Sequence, residues 1–263
     1  MSEQVNVELV EHILKITFNR ADKMNSITQS MYEALFEALK QADDNPDVRV
    51  VYLNAEGDNF CAGNDMSVFM KAMKDESGAA VQQAMAPPKA VLLQLARMKK
   101  PLVIAVKGMA VGIGANMVLH CDLAFADTST RFVLPFINLG LSPEGGCSHV
   151  LPHLVGHAKA AELLMLGEPF SANTAAELGI INAVCEPDEL EQRAWSSARK
   201  LAAKPPEALR LMKSMLRQKP QQPLEPVILS ELEILGQRFG TEEAKEALSA
   251  FAEKRAPDFS RFS

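Results

Sequence analysis

Two short turns carry the residue types that could do chemistry. The first, Phe60-Cys61-Ala62-Gly63-Asn64-Asp65-Met66, follows a short β-branched run, Val48–Asn54, and a polar turn at Glu56-Gly57-Asp58. Small residues at Ala62 and Gly63 let the backbone bend and let a ligand approach its N–H groups. Asp65 then suits the cap of a helix running through Val68–Met73. The same residues also suit a plain strand-to-helix turn. The second, Lys107-Gly108-Met109-Ala110-Val111-Gly112-Ile113-Gly114-Ala115-Asn116, follows the apolar run Leu102–Val106 and leads into an apolar helix ending near His120. The positive end of that helix and its unpaired N–H groups favour an anion or a developing oxyanion.

Several chemistries fail on spacing. After Gly112 and Gly114 a dinucleotide fingerprint needs a glycine where Met117 stands, and no GxxxxGK[ST] phosphate loop is present. His149, His153 and His157 are spaced four apart, but Pro152 and Gly156 interrupt the helix that would stack them. No acidic partner is well placed, so no metal is expected. The sequence around Ser142 is GLSPE, which is not a nucleophile elbow.

The turns need a frame. Val5–Val10 and Ile13–Phe18 flank Glu11-His12 and read as a hairpin. Leu102–Val106 has no polar residue, as a strand buried on both faces requires. Cys121–Ala126 and Ile180–Val184 read as two further strands. Gln29–Ala42 puts Met31, Leu35, Ala38 and Leu39 on one face, with Thr28 as N-cap. Alternating strands and helices predict an α/β fold with a largely parallel sheet. After about Glu186 only helices follow: Glu189–Ala203, Pro206–Arg217, Pro223–Phe239 and Glu242–Lys254, punctuated by Pro205-Pro206 and by Pro220, Pro223 and Pro226. The chain thus divides into an α/β core, residues 1–190, and a helical tail, residues 191–263. Such a tail cannot bury its apolar faces alone and must pack on the core or on another subunit.

The chain has 263 residues, 48% hydrophobic and 23% charged, which argues against disorder. A net charge of -6 without a basic run argues against a nucleic-acid partner. The most apolar region, Pro101–Ala126, contains Lys107, Asn116, His120 and Asp122, which argues against a membrane span. The first residues lack the basic-then-apolar pattern of a signal peptide. Four scattered cysteines without a CxxC fit a reducing cytoplasm.

Together the two turns resemble those of the crotonase, or enoyl-CoA hydratase/isomerase, superfamily. The resemblance extends to Asn19-Arg20 with Asn25, to Cys121-Asp122 and to the helical tail. It implies a spiral of ββα turns with a C-terminal helical trimerisation region, hence a homotrimer or homohexamer. It implies an acyl-CoA thioester as substrate, with CoA arriving as part of the substrate and no separate cofactor. The oxyanion donors would be the backbone N–H groups of Asn64 and Ile113. The CoA and acyl parts would meet Lys23, Met24, Ala62, Gly63, Asp65, Met66, Gly112, Phe136, Leu141, Phe251 and Lys254, with Phe69 as a further wall and Arg255 beside Lys254. Met24, Met66, Met70, Met73 and Met85 suit either a flexible acyl pocket or core filler.

Hydratases of this family carry two glutamates, and the matching positions here are Asn116 and Phe136. A different carboxylate stands in Leu139-Gly140-Leu141-Ser142-Pro143-Glu144-Gly145-Gly146. Taken alone, Glu144 suits the N-terminus of a helix after Ser142-Pro143. The LG-x-SPEG pattern resembles the Δ3,Δ2-enoyl-CoA isomerase branch, where a single glutamate on this loop moves the proton; in that reading Glu144 is the catalytic base in a step of fatty-acid β-oxidation. Hydration, dehalogenation, thioester hydrolysis and a non-catalytic interaction role are the alternatives.

Overall fold

A computed structural model describes residues 3–72, 79–217 and 224–259. Met73, Pro220 and Pro223, a helix end and pocket wall and two helix breaks in the sequence reading, lie outside them. The strands are β1 (Val5–Val10), β2 (Ile13–Phe18), β3 (Val50–Ala55), β4 (Leu102–Val106), β5 (Met109–Val111), β6 (Leu123–Asp127), β7 (Arg131–Val133), β8 (Phe170–Ser171) and β9 (Ala183–Cys185). The helices are α1 (Gln29–Asp44), α2 (Met66–Ala72), α3 (Ala79–Arg97), α4 (Ile113–His120), α5 (Cys147–Val155), α6 (His157–Leu166), α7 (Ala172–Glu177), α8 (Leu190–Ala202), α9 (Pro206–Arg217), α10 (Leu224–Arg238) and α11 (Glu242–Glu253).

The larger sheet has the order β1-β2-β3-β4-β6-β9, and the smaller one β5-β7-β8. Only β1 runs against its neighbour in the larger sheet, in register Val5↔Phe18 to Val10↔Ile13. The hairpin turns through Glu11 and His12, both at positive φ (50° and 65°), the primed geometry that matches strand twist. Successive strand pairs place one strand in each sheet, β4 with β5 and β6 with β7, so the chain spirals as expected. β3 and β4 are buried along their whole length. One face of the large sheet carries Ile16, Leu53 and Ile104 against α1 and α3. The other carries Tyr52, Val103 and Phe125 against Leu190, Ala194 and Ala198 of α8. The expected boundary at 190/191 therefore falls in the first turn of a helix that covers the core sheet. Thr28 caps α1 as expected, its hydroxyl accepting from the Met31 N–H at 3.3 Å.

Several elements differ from expectation; the strand expected over Cys121–Ala126, for one, is Leu123–Asp127. The strand expected over Ile180–Val184 is Ala183–Cys185; Ile180 and Ile181 bury their side chains in the preceding turn, both N–H groups donating to the Ala175 carbonyl. The sequence reading named no helix over α3, which holds Pro87-Pro88 inside it. Proline removes a helical donor and crowds the preceding turn. Here Val81, Ala84, Met85, Pro88, Val91, Leu92 and Leu95 form an unbroken buried stripe at helical spacing, and packing overrides the local penalty. Among the described residues no helix is long and apolar enough to cross a membrane.

Candidate active site

The first turn is stitched down on both sides. On one, Cys61 N–H donates to Met109 O and Val111 N–H to Cys61 O, each at 2.9 Å, joining the turn to β5. On the other, Ile27 N–H donates to Gly63 O at 2.8 Å and Asp65 N–H to Ile27 O at 2.9 Å. Alternation along an extended segment then turns the Asn64 N–H away from Ile27. It has no acceptor among the described residues. The Asn64 side chain is held by the Tyr32 hydroxyl, which donates to its Oδ1. Asn25 supports the turn from below, its Nδ2 donating to Glu56 O at 2.9 Å and Asn59 O at 2.7 Å.

The second turn sets the other donor. Gly112 sits at φ 54°, ψ -112°, a conformation that side chains avoid, and its N–H donates to Val133 O at 2.9 Å. Ile113 opens α4, so its N–H is among the first-turn donors that the helix does not satisfy. A Cβ on Gly114 would stand 2.9 Å from both Cβ and O of Cys61, so the two turns touch and cannot be separated by a side chain.

Both turns border one cavity of about 360 Å³. Of the residues expected at the site, Asn64, Ile113, Glu144, Ala62, Gly63, Met66, Gly112, Phe136, Leu141 and Phe251 line it. Phe69 and Met85 do too. Lys23, Met24, Asp65 and Lys254 do not. Lys23 ends a 3₁₀ turn, and Met24, half exposed, accepts the Ala62 N–H at 2.9 Å. Asp65 caps α2, accepting from the Ser67 N–H at 3.2 Å, and pairs with Arg20 at 2.9 Å. The Ser67 hydroxyl, donating at 2.6 Å, and then Arg20 and the Ser67 N–H hold its carboxyl below its ordinary range. Lys254 terminates α11 in the left-handed conformation, and the next residue, Arg255, borders the cavity instead. Met70 does not line it.

Glu144 is 3% exposed, and its carboxylate has no hydrogen-bond partner among the described residues. Burial, then the charge of Glu231, raises its pKa from 4.5 to about 7. Among the described residues no other Asp, Glu, His, Lys, Cys or Tyr lines the cavity. Asn116 is buried, its Nδ2 donating to Glu144 O at 3.2 Å and its Oδ1 accepting from the Cys147 thiol. Phe136 contributes an apolar wall. The arrangement brings both turns and one buried carboxylate to a single cavity lined mostly by apolar side chains. His153 Nδ1 lies 2.6 Å from His149 O, and no His/Cys/Asp/Glu group among the described residues could hold a metal.

Sequence reasoning missed part of the site. Pro88 of α3, Leu232 and Leu235 of α10 and Phe239 just after it line the same cavity, with Phe239 stacked on Phe69 at 5.1 Å. The sequence reading left the tail helices to pack on the core or on another subunit and placed none of these α10 residues at the site. The stripe Ile228, Leu232, Leu235, Phe239 was the available signal, but it does not say what it faces.

Residues 8–261 match the family described as Enoyl-CoA hydratase/isomerase. The chain belongs to that family. Within it, the chain is 33% identical to the 1,2-epoxyphenylacetyl-CoA isomerase of Escherichia coli (strain K12), over 98% of this chain and 99% of that protein. It is 34% identical to enoyl-CoA delta isomerase 2 of Rattus norvegicus over 92% of this chain, and spans 62% of that longer protein. An enoyl-CoA hydratase/isomerase of Pseudoalteromonas atlantica T6c superposes with a TM-score of 0.88 at 33% identity, covering 98% of this chain and 100% of that one. Relatives in this enoyl-CoA hydratase/isomerase family carry both isomerase and hydratase names. The chain is thus an enzyme of the enoyl-CoA class, and what separates hydration from isomerisation is which acid–base groups face the cavity.

Proposed function

We propose that this chain is a Δ3,Δ2-enoyl-CoA isomerase with Glu144 as its single base. The observation that carries this reading is that, among the described residues, Glu144 is the one carboxylate on the cavity wall, unpartnered and buried. Glu144 would take a proton from C2 of a 3-enoyl thioester. The electron pair would move onto the thioester oxygen, held by the Asn64 and Ile113 N–H groups. The carboxylic acid so formed would return the proton at C4, leaving a 2-enoyl thioester and the carboxylate restored. A group poised near pH 7 serves as base and then as acid equally well. Hydration needs a second group to activate water, and Asn116 and Phe136 stand where a hydratase has carboxylates. Dehalogenation and thioester hydrolysis are further outcomes of the test below.

CoA would come with the substrate, its phosphates toward Arg255 and the Lys23-Met24 loop, in a step that suits β-oxidation of unsaturated chains. The unpaired cysteines favour the cytoplasm. Leu211, Met212, Met215 and Leu216 of α9 are exposed, a ridge that suits a homotrimer or a dimer of trimers. The deciding experiment incubates the protein with a 3-enoyl-CoA and, separately, a 2-enoyl-CoA, resolving products by chromatography. Conversion of the first to 2-enoyl-CoA, with little 3-hydroxyacyl-CoA from the second, is expected. Rapid hydration of the second with no isomerisation of the first overturns the reading.

A further inference from the structure

Two consecutive peptide units behind the Glu144 side chain are held from two directions. Asn116 and His120, one turn apart on α4, donate to Glu144 O at 3.2 Å and to Gly145 O at 2.8 Å. The third hold comes from the tail. The Gly146 N–H donates to Glu231 Oε2 of α10 at 2.5 Å. Glu231 Oε1 accepts from the Ser148 N–H at 3.0 Å and from the Ser148 hydroxyl. One carboxylate thus takes three donors at the first turn of α5, where a helix leaves its N–H groups unsatisfied. Both oxygens accept, the role of an ionised carboxylate.

A nearby serine or aspartate could cap α5 more cheaply. The N-cap is instead Gly146, which has no side chain, and the capping carboxylate comes from 85 residues away and is 6% exposed. Leu224, Ile228 and Glu231 lie on one face of α10, and a Cβ on Gly146 would meet Leu224 at 2.5 Å, so α10 closes directly onto the loop. Burying a charge for capping alone is costly.

We propose that Glu231 is a positioning residue for Glu144: it fixes the loop from the tail and sets a permanent negative charge within electrostatic reach of the candidate base. This rests on the isomerase reading only in taking Glu144 as the base. A fixed negative charge disfavours the ionised form of a neighbouring carboxyl and so adds to the effect of burial. The other ionisable groups around Glu144 are Tyr32 from α1, His120 from α4, Cys147 from α5 and Arg255 beyond α11. Burial keeps Tyr32 and Cys147 protonated, and lowers His120 to about 4, so that it is neutral near pH 7. Arg255 is engaged by Glu246 and Glu253. Glu231 is therefore the acidic charge that acts on Glu144 among the described residues.

The test reads the Glu144 carboxyl directly, without substrate, by ¹³C NMR of glutamate-labelled protein, assigned with Glu144→Gln. Wild type is expected to titrate near pH 7, with a second, smaller step at the same midpoint in the Glu231 carboxyl signal. Glu231→Gln should move the Glu144 midpoint down by about 0.5 to 1 unit. Glu231→Asp, which keeps the charge, should restore most of it. The rising limb of the isomerase pH profile should follow each midpoint. A folded Glu231→Gln protein with an unmoved Glu144 midpoint overturns the proposal. If that variant does not fold, a wild-type Glu231 signal blind to the Glu144 titration overturns it equally. Failure of wild type to isomerise any 3-enoyl-CoA would sink the functional reading while leaving these titrations to decide the role of Glu231.

Discussion

α9 and α10 are consecutive helices of similar length, yet they wear their residues in opposite senses. α10 turns Ile228, Leu232 and Leu235 inward, and the last two close the cavity around Glu144. α9 turns a lysine inward and its large apolar residues outward. Lys213 Nζ donates to Asp122 Oδ2 and to Lys100 O, each at 2.6 Å, and is buried, while Met215 and Leu216 are 71% and 74% exposed. Arg217 adds hydrogen bonds to the carbonyls of Leu95 and His120. One helix is bound by oil, the other by ions, and the oil of the second faces outward. The difference teaches that amphipathic strength alone does not tell which face is inside. Both helices satisfy the same sequence pattern.

The pocket side of this comparison is broken most strongly at Glu144. Glu144→Gln is expected to lower isomerase kcat by about 10² to 10⁴ with acyl-CoA affinity little changed. Single-turnover kinetics and binding titration on the same variant check both halves. The same substitution should raise stability. Between pH 4.5 and about 7 the unfolded chain releases this proton while the folded chain keeps it, so wild-type stability falls as pH rises through that window and is level above it. A glutamine carries no such penalty, and above pH 7 the variant should gain up to about 3 kcal/mol. Melting curves at pH 5 and pH 8 read the difference; a loss at both pH values would mean that Glu144 acts as a helix cap instead.

Leu235→Ala probes the α10 face next. Removing a buried side chain over a cavity should cost about 2 to 4 kcal/mol, with the acyl pocket enlarged. Urea unfolding and the acyl-length dependence of kcat/KM measure the two effects. The smallest expected change in fold stability lies on the ridge. Leu216→Lys should leave the stability of a single chain within about 0.5 kcal/mol, while light scattering reports a smaller assembly. If assembly survives Leu216→Lys combined with Met215→Lys, the ridge is not the contact.

Much of this molecule was readable because its signals are local. The hairpin, the strand Leu102–Val106, the helix capped by Thr28 and both glycine turns each depend on a few adjacent residues. The pattern around Glu144 directed attention to a residue that does line the cavity, although alone it also fits a helix start. What escaped depends on distant partners. Pro87-Pro88 reads as a break until the buried stripe on either side is weighed. β5, β7 and β8 are three residues or fewer, too short for a periodic pattern. Glu231 and Lys213 read as solvated charges on helical faces, because the donors and acceptors that bury them lie about 80 to 110 residues away. The same blindness kept α10 out of the expected site.

Asn116 has a consequence for how such a protein can change its trade. Its amide gives a hydrogen bond to the Glu144 carbonyl and takes one from the Cys147 thiol, so it needs a donor and an acceptor on one short side chain. Replacing it by a carboxylate, the obvious first move toward a water-adding enzyme, would remove the donor and set a negative charge against a carbonyl. The cost would fall on the loop that carries Glu144 before any new activity arose.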